Sequence, residues 1–174
     1  RGVAAPHSGR RCPVSGPRVL EPLLTPWGEE LDRDHPLPEY PRPQLARDSY
    51  LNLNGPWQYA FRSTTDEPAV YDGEIVVPFP PESVLSGVGR VLRPDEVLHY
   101  RRSFTLPDGS RANADSRVLL QFGAVDQWCR VLVNGHEVAE HAGGSLPFTA
   151  DVTDVLAPGD NELHRAALAA NKLV

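Results

Sequence analysis

Apolar and polar residues alternate most regularly between Arg117 and Leu163, and a period of two indicates β-strands. In the first of these strands Val118, Leu120 and Phe122 share one face, because successive side chains of a strand point to opposite sides. Asn134-Gly135 lies between two apolar runs and predicts a type I′ hairpin, which needs positive φ at both central residues. The pattern predicts strands at residues 57–61, 73–77, 97–106, 118–122, 128–133, 136–141, 149–152 and 162–163. The chain is therefore predicted to be all-β.

The alternation stops near the end of this region. Residues 151–156 predict the end of a strand followed by one turn, with Thr153 or Asp154 as its cap. Residues 164–174 are rich in alanine and do not alternate. We therefore expect the β-rich domain to occupy residues 50–163, and residues 164–174 to be an atypical tail, consistent with truncation.

Prolines dominate the chain before the first strand. They lie at Pro26, Pro36, Pro38, Pro41 and Pro43. Because proline fixes φ and removes a backbone donor, this density argues against a helix or a central strand. We expect an extended Pro-rich arm over residues 23–49, anchored on the domain by Trp27 and Tyr40. Residues 1–22 show no periodicity and are expected to be a disordered extension.

The other aromatic residues and the cysteines have ordinary interpretations. Trp57, Tyr59 and Phe61 share one strand face and are expected to form a core row, because a sugar-stacking platform must be exposed. Cys129 lies on a predicted strand and is expected to be a buried or half-buried free thiol. Cys12 is the only other cysteine, so no disulfide framework is indicated.

The net charge of the chain limits the kinds of molecule that it is expected to bind. The 174 residues include 17 Lys and Arg against 23 Asp and Glu, which gives a net charge of −6. An acidic chain offers no electrostatic basis for binding nucleic acid or an anionic membrane. No apolar run approaches the roughly 18 residues of a membrane helix, and no apolar stretch follows Arg10-Arg11 as it would in a secretory signal. We therefore expect a cytoplasmic protein.

Several short motifs follow one another in an order that is more specific than any one of them alone. They are Leu53-Asn54-Gly55-Pro56-Trp57, Tyr100-Arg101-Arg102-Ser103-Phe104, Gly123-Ala124-Val125-Asp126, Val133-Asn134-Gly135, Gly143-Gly144, Pro147-Phe148, Asp151-Val152-Thr153-Asp154-Val155-Leu156 and Pro158-Gly159-Asp160-Asn161-Glu162-Leu163. This series resembles the N-terminal sugar-binding domain of glycoside hydrolase family 2, with His99 in place of the family's aromatic residue before Tyr100. The resemblance implies a jelly-roll β-sandwich of the galactose-binding-domain type.

The resemblance also implies where catalysis would take place. Family 2 includes β-galactosidases, β-glucuronidases and β-mannosidases, and its two catalytic glutamates lie in a (β/α)8 barrel that follows two sandwich domains. Such a barrel needs about 250 residues, whereas 11 residues follow Leu163. We expect a fragment that lacks the catalytic barrel, is inactive alone, and has carbohydrate and the missing domains of the same enzyme as partners. No cofactor or metal is expected. The alternatives are a stand-alone carbohydrate-binding module and a structural docking domain.

Two segments are candidates for contact with a sugar. The long segment between Pro78 and His99 offers Glu82, Arg90 and Arg93, and long loops in compact domains are usually functional or mobile. By resemblance, the corresponding loop of the family's β-galactosidases reaches toward the active site of the barrel. Asp126-Gln127 follows the Gly-Ala-Val segment, where a structural turn is the main interpretation and sugar contact is the alternative.

Two other patterns imitate catalytic motifs. Asn161-Glu162 resembles the family's catalytic Asn-Glu pair, but it directly follows a Pro-Gly-Asp turn of the predicted sandwich. His136 and His141 flank a segment that resembles a zinc protease motif, which requires two histidines four apart on a helix. These two are five apart on a predicted strand and would point to opposite faces. We expect neither catalysis nor zinc binding at these positions.

Overall fold

The computed structural model describes residues 23–39, 50–107, 109 and 116–168. Within these ranges eight antiparallel strands form two sheets. The strands are β1 (Gly55–Arg62), β2 (Gly73–Val77), β3 (Val97–Thr105), β4 (Leu119–Phe122), β5 (Trp128–Val133), β6 (His136–Ala142), β7 (Phe148–Asp151) and β8 (Asp160–Leu168). The helical parts of the described residues are one α-turn, α1 (Pro26–Glu29), and two 3-10 turns, Val84–Ser86 and Thr153–Val155. The prediction of an all-β sandwich is confirmed.

The last strand is central to the larger sheet, whose order is β2-β1-β3-β8-β5-β6. β8 pairs with β3 on one side and with β5 on the other, and it continues to Leu168. The expected boundary at Leu163 is therefore five residues too early. Leu163, His164, Ala166 and Ala167 are all buried, so both faces of this strand are covered and its sequence does not alternate. Residues 169–174 lie outside the described residues.

The inner face of the six-stranded sheet carries the hydrophobic core. Trp57 and Phe61 are buried there and Tyr59 packs against them, which confirms the predicted aromatic row. The rings of Trp57 and Tyr100 meet edge to face, with centroids 6.4 Å apart. Cys129 is a fully buried free thiol, as predicted. Burial of these apolar side chains is the main term that stabilises the sandwich.

Two parts of the chain pack over the inner face of the large sheet. The two-stranded sheet of β4 and β7 packs over part of it through residues such as Leu120 and Ala150. The segment between β2 and β3 packs Val88 and Leu92 against the same core. It also places the guanidinium of Arg90 3.8 Å from the ring centroid of Phe61. The long loop is therefore a packed part of the second layer.

The Asn-Gly hairpin has the predicted geometry. Asn134 and Gly135 have φ values of 51° and 79°, both in the left-handed region. The Asn134 side chain also reaches across the fold: its Nδ2 donates to Asn161 Oδ1 at 2.8 Å, and its Oδ1 accepts from Glu162 N at 2.9 Å. The hairpin therefore also fixes the start of β8.

The Pro-rich arm differs from its prediction in two ways. Pro26 begins the helical turn α1, whose N-cap Thr25 accepts a hydrogen bond from Gly28 N at 3.3 Å. A proline is tolerated in the first helical turn because the N–H it lacks would have no helical partner there. Trp27 is 81% exposed and does not anchor the arm; Pro36 is the buried residue. Tyr40, together with the rest of residues 40–49, lies outside the described residues, as do residues 1–22.

The turn after β7 is capped by a different residue from the one predicted. Asp151 Oδ1 accepts hydrogen bonds from the backbone N–H of Thr153 at 3.0 Å and from its hydroxyl at 2.6 Å. The N-cap position itself is Val152, which makes no side-chain capping bond. The expectation that Thr153 or Asp154 caps the turn is wrong, because the aspartate two residues earlier reaches the same N–H.

Candidate functional site at the Leu168 end of the sandwich

The strand register brings the two candidate segments to the same end of the sandwich. Leu168, the last residue of β8, pairs with Val97 of β3 on one side and with Trp128 of β5 on the other. The residues just before these strands are Glu96 and Gln127. Since neighbouring strands are about 4.8 Å apart, Glu96 and Gln127 are separated by two strand spacings, or roughly 10 Å. We call this region the Leu168 end.

Asp126-Gln127 forms a junction at this end. The two residues are joined by a cis peptide bond. The backbone N–H of Gln127 donates to Leu168 O at 2.9 Å, and its carbonyl accepts from Gly143 N at 2.6 Å. A Cβ atom at Gly144 would overlap Asp126 Oδ1, so a side chain there would push the Asp126 carboxylate aside. The Asp126 side chain itself is exposed.

A cluster of stacked rings supports the same junction. Phe148 of β7 stacks with Phe122 of β4 at a centroid distance of 4.7 Å and with His141 of β6 at 4.3 Å. His141 Nε2 donates to Gly143 O at 3.1 Å. The rings tie the small sheet to the edge of the large one. The Pro147-Phe148 motif marked this position in the sequence, but nothing there indicated that His141 is its partner.

The charged residues of the long loop are bonded mainly to one another. Arg90, which lies over Phe61, forms an ion pair with Glu96 Oε1. The other oxygen of Glu96 accepts from the backbone N–H of Arg93 at 3.1 Å. Glu82 Oε1 accepts from Leu92 N at 3.3 Å. Arg90 therefore has a packing role, whereas the side chains of Glu82 and Arg93 are exposed.

A groove lies elsewhere in the part of the chain that the structure describes. It has a volume of about 740 Å³ and opens between the inner face of the large sheet and β4. Its lining is mostly apolar and includes Trp57, Phe104, Leu120 and Leu163, with the guanidinium of Arg165 stacked 4.0 Å from the Tyr100 ring centroid. None of the five predicted substrate-binding residues lines this groove.

In the two patterns that imitate catalytic motifs, Asn161 and His141 make contacts that stabilise the fold. Asn161 is buried, and its Nδ2 donates to the carbonyls of Ala157 and Gly159. His141 belongs to the ring cluster, whereas His136 is exposed at the start of β6. Among the residues that the structure describes, no group of three or more His, Cys, Asp or Glu side chains is arranged to hold a metal ion.

Sequence similarity to known proteins identifies the family of this domain. Residues 93–171, which include β3 to β8, match the family model described as a glycosyl hydrolase 2 galactose-binding domain-like module. Residues 93–171 therefore carry the galactose-binding-like domain of glycoside hydrolase family 2. A β-glucuronidase of Canis lupus familiaris is 40% identical over 72 residues, which are 41% of this chain and 11% of that protein. A β-glucuronidase of Sus scrofa is 27% identical over 174 residues, covering 92% of this chain and 26% of the relative.

Solved structures of the family show the same sandwich. The β-glucuronidase of Faecalibacterium prausnitzii matches with a TM-score of 0.54 and 30% identity, over 74% of this chain and 22% of that one. The chain thus spans between 11% and 26% of the curated relatives named above. Within the described ranges there is no helix with the length and apolar character needed to cross a membrane.

Proposed function

We propose that this chain is the N-terminal sandwich of an exo-acting β-glycosidase of the β-glucuronidase type, and that its Leu168 end faces the rest of that enzyme. The similarity supports the first part, because the curated relatives named above are β-glucuronidases that extend well beyond the matched region. The geometry of β8 supports the second part.

The observation that carries the proposal is the position where β8 ends. Leu168 O accepts the hydrogen bond from Gln127 N, and Leu168 pairs with Val97. Chain that follows Leu168 therefore leaves the sandwich on the side of Asp126 and Arg93, the exposed charged residues of the two candidate segments.

The chemistry of these two residues suits a sugar acid. A glucuronide carries a carboxylate, which a guanidinium binds with charge-assisted hydrogen bonds. Arg93 offers such a group, and the exposed Asp126 carboxylate can accept hydrogen bonds from sugar hydroxyls. In this proposal the two residues help to hold substrate, while the catalytic carboxylates belong to the rest of the enzyme.

Expression of the complete reading frame tests the proposal. The coding region that continues beyond residue 174 is expressed as one polypeptide and assayed with nitrophenyl β-glucuronide and nitrophenyl β-galactoside. We expect hydrolysis by the complete polypeptide, faster with the glucuronide, and none by residues 1–174 alone. Turnover by residues 1–174 alone would contradict the proposal, as would a complete polypeptide that hydrolyses neither substrate.

The two alternatives give different results. The aromatic row of Trp57, Tyr59 and Phe61 is packed into the core and provides no sugar platform, so the structure does not favour a stand-alone binding module. Such a module would nevertheless release heat in calorimetry with millimolar glucuronic acid in the absence of any other domain. A purely structural domain would leave the Michaelis constant of the complete enzyme unchanged when Arg93 or Asp126 is replaced.

A further inference from the structure

The outer face of the six-stranded sheet contains two buried histidines that the sugar-binding proposal does not use. His99 of β3 is 0% exposed, and His164 of β8 is 3% exposed. Their rings are stacked with centroids 5.4 Å apart and an interplanar angle of 10°. The Nδ1 atom of His99 lies 3.2 Å from the Nε2 atom of His164. The two imidazoles therefore form one hydrogen-bonded pair inside the protein.

The hydrogen bonds determine where the protons of the pair lie. His99 Nε2 is 2.9 Å from Thr64 O, and since a carbonyl only accepts, Nε2 carries the proton. His99 Nδ1 is then bare and accepts from the N–H of His164 Nε2. His164 Nδ1 is left without a proton, buried, and without a hydrogen-bond partner among the described residues. Within the pair, His164 Nδ1 is therefore the nitrogen that can accept another proton, and it is buried.

Residues 63–72, which connect β1 to β2, contact the pair at His99, and we call them the roof segment. Thr64 O accepts from His99, and Thr65 O accepts from Arg130 Nη2 at 2.6 Å. At its far end Asp72 pairs with Arg62 at 2.8 Å, and the Asp72 N–H donates to Tyr59 O at 2.8 Å. The histidine pair is one of the attachments that hold this segment on the sheet.

The charges around the pair disfavour a further proton. Arg62 of β1, Arg101 of β3 and Arg130 of β5 all act on it as positive neighbours. The opposing acids are Asp66 of the roof segment, which acts on His99, and Glu162 of β8, which lies 3.8 Å from Arg101. Burial, followed by the neighbouring His99 and by two of the arginines, lowers the pKa of His164 to about 4. Burial also lowers the pKa of His99.

Tyr71 is a further titratable group of the roof segment on this face. Its ring lies under the guanidinium of Arg101, with the Arg101 Cζ atom 4.2 Å from the ring centroid. Burial, and next the neighbouring Glu67, raise the pKa of Tyr71 to about 12. Its phenol therefore stays neutral throughout the acid range and does not contribute to a response there.

We propose that the His99–His164 pair is an acid-sensitive latch: the neutral pair holds the roof segment on the sheet, and protonation of the pair releases it. In the released state His164 titrates near its ordinary pKa of 6.5, against about 4 in the closed state. The closed state binds fewer protons than the released state. The free energy that favours the closed state is therefore largest above pH 6.5, and it falls as the pH drops from 6.5 to 4. Over that window the opening equilibrium rises about tenfold for each pH unit.

Nuclear magnetic resonance of residues 1–174 tests the latch directly. The imidazole signals of His99 and His164 are followed from pH 8 to pH 3.5, together with hydrogen exchange of the Asp72 amide corrected for its intrinsic rate. We expect the pair to titrate below pH 5, and the corrected exchange of Asp72 to rise about tenfold per pH unit below pH 6.5. Titration of His164 near pH 6.5 with unchanged Asp72 exchange would overturn the proposal.

Two variants separate the latch from general acid sensitivity. The substitution His164→Gln keeps an amide donor near the position of Nε2 but cannot titrate, so the pH dependence of Asp72 exchange should flatten. His35→Gln is the matched control, because the His35 side chain is 80% exposed, and it should behave like the unsubstituted chain. The same steep dependence in His164→Gln would contradict the proposal. If His164→Gln does not fold, the titration of the unsubstituted chain decides alone.

Discussion

The two ends of the sandwich use polar side chains in opposite ways. At the hairpin end, where β5 turns into β6, the Asn161 side chain is 2% exposed and bonded to Asn134, Ala157 and Gly159. At the Leu168 end, Asp126 and Arg93 have exposed side chains, although the backbone of Arg93 and that of Gln127, next to Asp126, are held by neighbours. Asn161 therefore holds the fold together, whereas Asp126 and Arg93 are polar groups that an outside molecule can reach.

Arg102 extends this contrast within a single motif. Its Nη1 atom donates to the carbonyls of Leu53, Asn54 and Pro56 at 3.0 to 3.3 Å, and so holds the chain where β1 begins. The adjacent Arg101 points to the outer face and bonds to the Gln58 side chain in a more exposed position. Two neighbouring arginines of the same strand thus have different roles.

The largest loss of stability is expected for Asn161→Ala. The substitution removes four hydrogen bonds at once and leaves the Ala157 N–H without its acceptor. We expect the free energy of unfolding to fall by about 3 kcal/mol in urea denaturation. Gln121→Ala, at an exposed position of β4, is the control and should change it by less than about 0.5 kcal/mol. If Asn161→Ala lowers the free energy of unfolding no more than the control does, Asn161 does not stabilise the hairpin end as described.

A smaller loss is expected for Arg102→Met. This change keeps much of the apolar stem but removes the donor from three backbone carbonyls, so the free energy of unfolding should fall by about 2 kcal/mol. Arg101→Met is its matched control in the same strand, where the lost contacts are partly exposed and contribute less than about 1 kcal/mol. Thermal denaturation of the two variants side by side measures the difference. Equal losses would show that Arg102 does not hold the chain before β1.

The junction at the Leu168 end should respond to Gly144→Ala. The new methyl group meets the Asp126 carboxylate, which must move aside, and we expect a loss of about 1 kcal/mol in the free energy of unfolding. In the double variant with Asp126→Ala most of this loss should disappear, because the colliding atoms are gone. Losses that simply add would mean that Gly144 and Asp126 are not in contact.

The sequence predicted the strands that have one buried and one exposed face. It did not predict the full length of the strand that is buried on both faces. The aromatic row of Trp57, Tyr59 and Phe61 and the hairpin at Asn134-Gly135 follow from local rules of side-chain period and turn geometry. β8 was cut short because both its faces are buried, a property that depends on its neighbours β3 and β5. The turn α1 was missed because proline breaks helices in the interior but not at their first residue.

The sequence could select candidate segments but not the contacts of their side chains, and sugar binding at these segments stays a prediction. Both chosen segments meet at the Leu168 end, yet the bonds of Arg90 to Glu96 and its stacking on Phe61 depend on the path of the loop. The histidine pair was not predicted either, although His99 stood out as a departure from the family pattern. Its partner His164 is 65 residues away, and such long-range contacts cannot be obtained from periodicity.

Kinetics of the complete enzyme test the central claim most directly. Arg93→Ala and Asp126→Ala are each compared with Glu137→Ala, an exposed residue at the hairpin end. We expect the first two to raise the Michaelis constant for nitrophenyl β-glucuronide about threefold, since each removes a solvent-exposed polar contact of about 0.7 kcal/mol. Their melting temperatures should stay the same, and Glu137→Ala should change neither quantity. An unchanged Michaelis constant in both Leu168-end variants would contradict the account.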